Sequence, residues 1–290
     1  MGRRLFVTLF LLPASLLYSV FVIVPFVQAV QFSGYRWRGL SMKKKFVGFE
    51  NYDKLLHDSV FWQSLCHNLL ILTVCGALIV FSSVAVAHAM RPGGTVAKVL
   101  KSVYLFPQVV SLVAVAVLWQ FVLNPQGLLN SLLKGAGIAN PPSWLGDSRF
   151  ALAAVALVFA WYVMGFYTML FAAGIQSVPA ETFEAAELDG SAGLNRFWRV
   201  TWPLLWPIKR VAVVYLVVNV TNIFALVALM TRGGPDRASE VMLTYLYEQA
   251  FTNSQFGYAT AIGMANLVVI MLMALGIMMY FRKDPTGAAR

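Results

Sequence analysis

Ionisable side chains at helical spacing are concentrated between residues 177 and 210. Glu181, Glu184 and Glu187 recur every third residue, so a short helix would carry them close to its positive N-terminal end. Arg196 and Arg199 follow and would lie one turn apart on a second short helix. Such acidic and basic turns suit ion pairing with the groove of a partner. The alternative is a solvated helical hairpin that binds nothing.

The chain lacks the motifs that enzymatic chemistry would require. It contains no G-x-x-x-x-G-K-[ST] phosphate loop, no H-E-x-x-H helix and no G-x-S-x-G elbow. His57, His67 and His88 are scattered and are predicted to be ordinary hydrogen-bonded residues. Cys66 and Cys75 would lie about 13 Å apart along a helix, too far for a disulfide. We therefore predict no catalytic residue, no metal site and no cofactor in this chain.

The composition is that of an integral membrane protein. Of 290 residues, 59% are hydrophobic and only 12% are charged, whereas soluble domains carry about 25% charged residues. A membrane-spanning helix needs about 20 mostly apolar residues, and the first run is too long for a cleaved signal peptide. We predict an all-α polytopic membrane protein with six transmembrane helices. The windows are Leu5–Val30, Asn68–Met90, Ser102–Leu123, Ala151–Ala173, Val211–Met230 and Thr260–Phe281.

The distribution of basic residues predicts that both termini lie on the inner side of the membrane. With that orientation, 12 of the 22 Lys and Arg residues lie inside, as the positive-inside rule favours. Six of the remainder crowd into the first outer loop, which is an exception to the rule. A basic, aromatic segment lying on the outer membrane surface is one explanation. These six are Arg36, Arg38, Lys43, Lys44, Lys45 and Lys54.

The chain divides into three segments in this interpretation. Residues 1–67 form an N-terminal anchor helix and a first outer loop, with a short helix near Asn51–Leu56. Residues 68–281 form a core of five spans, and residues 282–290 form an inner tail. No Asp, Glu, Lys or Arg lies inside the six windows. Since an ionisable residue in a span usually marks an ion or proton pathway, the pattern favours an external energy source and a neutral solute.

The 177–207 loop contains residues that are typical of helix starts and ends. Ser177 can cap a helix and Pro179 suits its first turn. Gly190 can adopt a positive φ and end that helix. A second short helix is predicted from Gly193 to Trp202. Pro203 is expected to interrupt the helix before the next span.

Several motifs resemble one transporter family. Glu184-Ala185-Ala186-Glu187-Leu188-Asp189-Gly190, followed by Phe197 and Pro203, resembles the EAA loop of binding-protein-dependent ABC importer permeases. Further segments resemble the carbohydrate-uptake branch, over about residues 5–282, and within it the first permease of maltose-like and glycerol-3-phosphate importers. They are 46–52, Asn130 with Leu132-Leu133, 144–147, Thr231 with 233–235, and 256–259.

The resemblance implies the ABC type I importer permease fold and a set of partners. These would be a second, homologous permease, two ATP-binding subunits that hold ATP and Mg, and an extracytoplasmic solute-binding protein. The complex would lie in the bilayer of a bacterial inner membrane, with both termini cytoplasmic and no nucleic acid bound. The loop would couple to the ATPase. Its coupling residues would be Glu181, Glu184, Ala185, Ala186, Leu188, Asp189, Gly190, Phe197 and Pro203.

The implied substrate is a neutral mono- or oligosaccharide, with glycerol-3-phosphate or another small polar solute as the alternative. Buried sugar hydroxyls need hydrogen-bond partners, which uncharged polar and aromatic residues of the spans can supply, although such amides also join helices. Candidate pathway residues are Gln108, Ser111, Trp161, Tyr162, Tyr167, Asn219, Asn222 and Asn266, with the fourth and fifth spans preferred.

Four features depart from the family pattern. They are the order Ser191-Ala192, Trp202 before Pro203, Ala225 where many relatives are acidic, and Arg232 where Gly is common. Two rivals of another class remain. They are a secondary transporter, which would need an ion-coupling residue, and a polytopic membrane enzyme.

Overall fold

The structure, a computed structural model, describes residues 2–39, 41, 43–91 and 93–282. The predicted tail falls outside it from residue 283 onward. In the described residues the fold is helical, apart from a two-stranded antiparallel ribbon in which β1 (Tyr35–Arg36) pairs with β2 (Lys45–Phe46). The all-α prediction is confirmed.

Sixteen helical segments follow one another along the described chain. Four single π-helical turns also occur, at Ser19–Ile23, Ile71–Cys75, Phe197–Thr201 and Glu248–Thr252. The helices are α1 (Arg3–Tyr18), α2 (Val24–Ser33), α3 (Glu50–Leu56), α4 (Ser59–Leu70), α5 (Gly76–Ala89), α6 (Gly94–Val109), α7 (Leu112–Val122), α8 (Leu128–Gly135), α9 (Ala151–Gln176), α10 (Ala180–Leu188), α11 (Gly193–Arg196), α12 (Trp202–Leu204), α13 (Trp206–Thr221), α14 (Ala225–Met230), α15 (Met242–Tyr247) and α16 (Phe256–Tyr280).

Five helical stretches of the described chain are long and apolar enough to cross a membrane, and a bent pair makes a sixth. The bent pair, Ala97–Val109 with Leu112–Val122, turns through 99°. The prediction of six spans is therefore confirmed when the pair is counted as one. The five stretches are Val7–Ser33, Ser59–Ala89, Ala151–Gln176, Trp206–Met230 and Phe256–Tyr280.

Two spans are less regular than continuous apolar windows predict. The third bends where Val110 and Ser111 take extended backbone angles, three residues after Pro107, which cannot donate a helical hydrogen bond. The fifth is interrupted between α13 and α14, where Asn222 donates its side-chain amide to the carbonyl of Val218 at 2.8 Å. Asparagine competes with helical backbone bonding in this way.

The chain forms two compact units. Met1–Phe61 and Tyr245–Val268 make up the first. Within it Asp58 precedes α4, accepts backbone N–H bonds from Val60 and Phe61, and accepts the hydroxyls of Tyr245 and Tyr258. Burial alone would raise the pKa of Asp58, but these hydrogen bonds hold that pKa below its ordinary value. Asp58 therefore stays ionised and fastens α15 and α16 to the start of α4.

Trp62–Thr244 and Val269–Arg290 make up the second unit, which is built around α9. The side chains of Val155, Val158, Tyr167 and Phe171 on this helix are fully buried, and α5, α6 and α13 pack against it. Gly165 allows α6 to approach closely, since an added Cβ would lie 2.0 Å from the Tyr104 carbonyl oxygen. Small residues serve membrane helices in this way because close backbone contact replaces hydrophobic driving force.

The three histidines and two cysteines follow the sequence prediction. Each imidazole Nδ1 has a hydrogen-bond partner: the Asp53 carbonyl for His57, the Glu240 carbonyl for His67 and the Thr201 hydroxyl for His88. Cys66 and Cys75 are free thiols. Cys75 is buried and Cys66 is exposed.

Asn68 joins three parts of the second unit and gives a stability prediction. It is buried, donates to the Val220 carbonyl at 2.8 Å and accepts the Met242 N–H at 3.0 Å. Asn68→Ala would leave both backbone groups unsatisfied. We therefore expect the free energy of unfolding to fall by about 2 kcal/mol and the melting temperature of the purified protein in detergent to be lower. The control is Thr73→Ala, because that exposed hydroxyl bonds only to carbonyls of its own helix. Equal melting temperatures for both variants would contradict the prediction.

Candidate functional site

The 177–207 loop begins differently from the sequence prediction. Ser177 ends α9 and donates its hydroxyl to the Gly174 carbonyl at 2.7 Å, so it does not cap the next helix. Pro179 takes the N-cap position of α10 with extended backbone angles, and α10 starts at Ala180. The prediction for Ser177 was wrong because its hydroxyl reaches a nearby carbonyl at the end of the preceding helix, which Ser does readily.

The end of α10 is as predicted. Gly190 has φ +78°, in the left-handed region that favours glycine. Its N–H bonds to the Glu187 carbonyl at 3.0 Å, and the Ser191 N–H bonds to the Ala186 carbonyl at 2.8 Å. This pair of bonds is the Schellman motif, which satisfies the last carbonyls of a helix. The chain therefore makes a defined sharp turn between α10 and α11.

Two phenylalanines attach the loop to the neighbouring spans. Phe183 of α10 is buried, with the Arg91 guanidinium 4.4 Å from the centre of its ring. Phe197 is also buried and meets His88 of α5 edge-on at 5.4 Å, next to the Thr201–His88 hydrogen bond. Phe197, predicted as a coupling residue, is therefore packed against α5. Phe183 was missed, although its position between Glu181 and Glu184 marks the opposite side of α10.

An internal ion pair joins the two short helices. Arg196 lies 3.3 Å from Glu187 and also donates Nε to the Ser191 carbonyl at 3.1 Å. The Arg196 side chain is only 12% exposed, so this contact holds the turn more firmly than an exposed pair would. The acidic and basic turns are therefore partly paired with each other, which leaves fewer charges for a partner than the sequence suggested.

The outward side of the loop combines apolar and acidic groups. Leu188 is 90% exposed and Leu194 is 79% exposed. Exposed large side chains on a firmly attached turn are typical of a contact surface. Of the predicted coupling residues, Phe197 is buried, Ala186 and Pro203 are half-buried, and the rest are exposed. Those exposed are Glu181, Glu184, Ala185, Leu188, Asp189 and Gly190.

The packing of Trp202 accounts for one departure from the family pattern. Its ring stacks on Phe81 with centroids 4.8 Å apart, and the Lys209 ammonium lies 4.2 Å from its centre. Lys209 itself is buried. A tryptophan here therefore covers both an aromatic ring of α5 and a buried cation.

A second departure, Arg232, has φ +55°. Glycine adopts such a positive φ readily, which explains why it is common at that position.

The predicted pathway residues collect around the two irregular spans. Ser111 is exposed at the bend between α6 and α7, and Asn222 is exposed at the break between α13 and α14. The segments that follow these breaks, α7 and α14, pack together, and Gln120 of α7 donates to carbonyls at the end of α14. Irregular backbone at membrane depth is tolerated where it is buried in protein or lines a water-filled cavity. Both breaks therefore mark places where a polar path can run.

Two of the predicted amides donate hydrogen bonds to backbone carbonyls. Gln108 donates to the Tyr162 carbonyl at 3.2 Å and so joins α6 to α9. Asn219 is half-buried and donates to the Tyr215 carbonyl of its own helix at 2.9 Å. The Gln108 contact is the helix-joining alternative that the sequence left open, whereas the Asn219 contact stays within α13. Each side chain retains an oxygen that can accept a hydrogen bond.

Aromatic side chains are also found among the predicted pathway residues and next to them. Trp161 is 39% exposed, and its ring meets that of Trp119 edge-on at 5.4 Å. The buried Trp119 Nε1 and Tyr167 hydroxyl bond to none of the described residues. Tyr162 is half-buried. Trp119 was missed by sequence reasoning, because a tryptophan within an apolar window carries no signal that separates packing from binding.

Asn266 belongs to the other compact unit. It is buried, and its side-chain oxygen accepts no hydrogen bond from the described residues. The structure therefore groups seven of the eight pathway candidates in one unit and leaves Asn266 apart in this respect. No three His, Cys, Asp or Glu residues of the described chain come together as a metal site would require.

Comparisons with known proteins agree with this architecture. Residues 79–283 match the family described as the binding-protein-dependent transport system inner membrane component. A probable ABC transporter permease of Bacillus subtilis, YurN, is 36% identical over 94% of this chain and 95% of its own. The diacetylchitobiose uptake system permease NgcF of Streptomyces coelicolor is 32% identical over 89% of this chain and 77% of its own.

A solved structure shares the fold. A chain of a bacterial ABC transporter involved in the import of alginate superposes with a TM-score of 0.84, covering 97% of this chain and 96% of that one at 21% identity. The predicted ABC importer permease fold is thereby confirmed. With more than half of its length matched by the family model, and with relatives above 30% identity across most of it, the chain belongs to the binding-protein-dependent transport system inner membrane components, the permeases of ABC importers.

Proposed function

We propose that this chain is the permease subunit through which an ABC importer moves a neutral mono- or oligosaccharide into a bacterial cell. The 177–207 loop docks on a separate ATPase, and that ATPase holds the ATP and Mg. The observation that carries the proposal is a loop attached firmly on one side and exposed on the other. Phe183 and Phe197 are buried, while Leu188 and Leu194 extend outward.

The attachment explains how force would pass through the loop. Movement of a docked ATPase would press on α10, and the Schellman turn, the Glu187–Arg196 pair and the two buried rings would transfer it to α5 and α9 as rigid-body motion. Glu184 and Asp189, both exposed, supply charges to the ATPase cleft, while Ala185 permits close approach.

The spans support a neutral, hydroxyl-rich substrate. Trp161 offers an aromatic face, and Asn222 an uncharged hydrogen-bonding group at the break in the fifth span. The relative from Streptomyces is named for diacetylchitobiose. Substrate hydroxyls lose water on entry, so each needs a partner, or costs about 1–3 kcal/mol. In this proposal the same path also uses Tyr162, Tyr167, Asn219, Gln108 and Ser111.

The remaining parts of the assembly follow from the family. The partners are a second, homologous permease, two ATP-binding subunits and an external solute-binding protein. A solved structure of a bacterial alginate ABC transporter in complex with an alginate pentasaccharide-bound periplasmic protein matches 95% of this chain and supports the last of these. The complex lies in the inner membrane with both termini in the cytoplasm, which places the 177–207 loop on the side where ATP is available.

Co-purification tests the proposal directly. A tagged chain expressed with its partners should retain an ATPase subunit in mild detergent, because Leu188 and Leu194 present apolar surface to it. Leu188→Asp/Leu194→Asp should release the ATPase while the chain stays in the membrane. Leu128→Asp/Leu132→Asp is the control, since those two side chains are 61% and 63% exposed in another loop. Retention of the ATPase by both variants, or by neither, would overturn the docking role.

Gly190 provides a second test, based on backbone conformation. An added Cβ meets no atom within 4 Å, so space is not limiting, but φ +78° is strained for a branched residue. Gly190→Val should therefore misplace α10 and reduce uptake at least tenfold, with normal amounts of chain in the membrane. Gly190→Asn should keep more than half of the uptake, because Asn tolerates the left-handed region. Radiolabelled solute uptake in cells measures both, and equal uptake would contradict the role of the turn.

Asn222 tests the pathway. Its exposed amide is available to a solute, so Asn222→Ala should raise the half-saturating concentration for uptake about two- to tenfold, as for one lost hydrogen bond. Thr73→Ala is the matched control, because that exposed hydroxyl bonds only to its own helix. Assembly with the partners should be normal in both. An unchanged uptake curve for Asn222→Ala would remove this residue from the pathway.

A further inference from the structure

A strongly basic cleft lies in the first compact unit. It has a volume of about 790 Å³ and is bordered by the β1–β2 ribbon, α3 and the segment that leads into α16. We call it the basic cleft. Its lining residues are Arg36, Trp37, Arg38, Ser41, Lys43, Lys44, Lys45, Glu50, Asn51, Lys54, Asn253, Ser254, Gln255 and Tyr258.

The charges of the basic cleft do not balance within the described chain. Six cations face one carboxylate there, and that carboxylate, Glu50, pairs with Arg36. Lys54 donates to the Gln255 side chain at 2.7 Å and lies 3.9 Å from the centre of the Tyr258 ring. Arg38, Lys43 and Lys45 form no ion pair with any described carboxylate. Such a concentration of one sign attracts an anion from outside.

The walls of the basic cleft are held by hydrogen bonds to backbone carbonyls. Asn51 is buried and donates to the carbonyls of Ser33 and Tyr35 at 2.7 and 3.0 Å. Trp37 donates its indole N–H to the Ser41 carbonyl at 2.8 Å, and its carbonyl accepts the Gly257 N–H at 3.3 Å. The cations therefore extend from a fixed frame, and an anion that binds does not have to order it.

The basic cleft lies at the level of lipid headgroups, whichever side of the membrane it faces. One of its walls follows directly on the span Val7–Ser33, and another opens the span Phe256–Tyr280. Apolar residues end there and polar ones begin, as they do at the edge of the hydrocarbon layer. Trp37 lies among Phe32 and Phe256, with ring centroids 4.6 and 5.9 Å away. Aromatic rings are enriched at that depth.

The apolar surface beneath the cleft is open to acyl chains. None of the residues in the most apolar 18-residue stretch of Val7–Ser33 is buried within the chain. Phe26 and Val30, in the last turns before the ribbon, are 46% and 47% exposed. A lipid can therefore place its tails along α2 and its phosphate among the cations. An acidic protein surface would use the charges but not this apolar helix.

We propose that the basic cleft binds the phosphate of an anionic phospholipid. This site explains why six cations occupy a loop that the positive-inside rule would keep poor in them, since each cation near an anionic headgroup favours binding. Lys43 and Lys45 contact the phosphate, and the ring of Trp37 lies at the glycerol level. The site is independent of the transported solute and of the loop that docks on the ATPase.

Lipid titration of the assembled transporter tests this site. The purified complex in neutral detergent is titrated with dioctanoyl phosphatidylglycerol, with dioctanoyl phosphatidylcholine of equal chain length, and with inorganic phosphate. We expect phosphatidylglycerol to bind at least tenfold more tightly than either of the others. Lys43→Gln/Lys45→Gln should weaken its binding about 30-fold, since each cation near the surface contributes a factor of about five. High salt should weaken binding in the parent protein.

The control variant removes the same charge elsewhere. Lys134→Gln/Arg232→Gln changes two exposed cations of other loops and should leave phosphatidylglycerol binding within twofold. Equal affinity for the two lipids, or equal binding by the two variants, would overturn the proposal. Inorganic phosphate binding as tightly as phosphatidylglycerol would overturn the lipid as the source. Unchanged lipid binding with lost solute-binding-protein association in Lys43→Gln/Lys45→Gln would overturn it in favour of an acidic protein surface.

Discussion

Backbone hydrogen bonding in a medium without water is the constraint on which this chain depends. A lipid-exposed N–H or C=O without a partner costs several kcal/mol, so spans must be helical and each interruption must be protected. In the described spans, the helix is interrupted at the bend at Val110–Ser111 and at the break at Asn222. The segments after both breaks pack together. The irregularities thus share one protected region, and a region that protects polar backbone can also hold a polar solute.

The same constraint distinguishes the 177–207 loop from the spans. Outside the spans, water can satisfy the backbone, so a short loop can adopt a sharp turn at Gly190 without loss. Such a turn is useful to a transporter only if it is stiff. Stiffness comes from contacts that reach back into the apolar layer, namely Phe183 with Arg91 and Phe197 with His88. Leu188 and Leu194, by contrast, are exposed in this chain, and in the proposed assembly they would face the ATPase.

Much of this arrangement could be predicted, because hydropathy and punctuation are local properties. The six windows, the short helix near Asn51–Leu56 and the turn at Gly190 depend on composition or on one residue, and all three are present. The bend after Pro107 and the break at Asn222 could not be predicted, because a hydropathy window sums side chains and ignores backbone angles. Pairs distant in sequence also escape prediction. The Asn68 contacts with Val220 and Met242, and the role of Trp119 beside Trp161, depend on packing that no local pattern specifies.

Charge distribution extends the argument to the membrane surface. The positive-inside rule concerns insertion, and a loop crosses more easily when it carries few cations. In the proposed orientation the first outer loop crosses with six cations, and the proposed lipid site would offset this cost. In the structure those cations are neither dispersed into water nor matched by carboxylates, since five of the six lack an acidic partner among the described residues. They border one cleft with a rigid frame at the end of an exposed apolar helix. In the proposed orientation such a cleft would stabilise an anion at headgroup depth. The same charges that oppose translocation would then favour a defined position of the finished protein in an anionic bilayer.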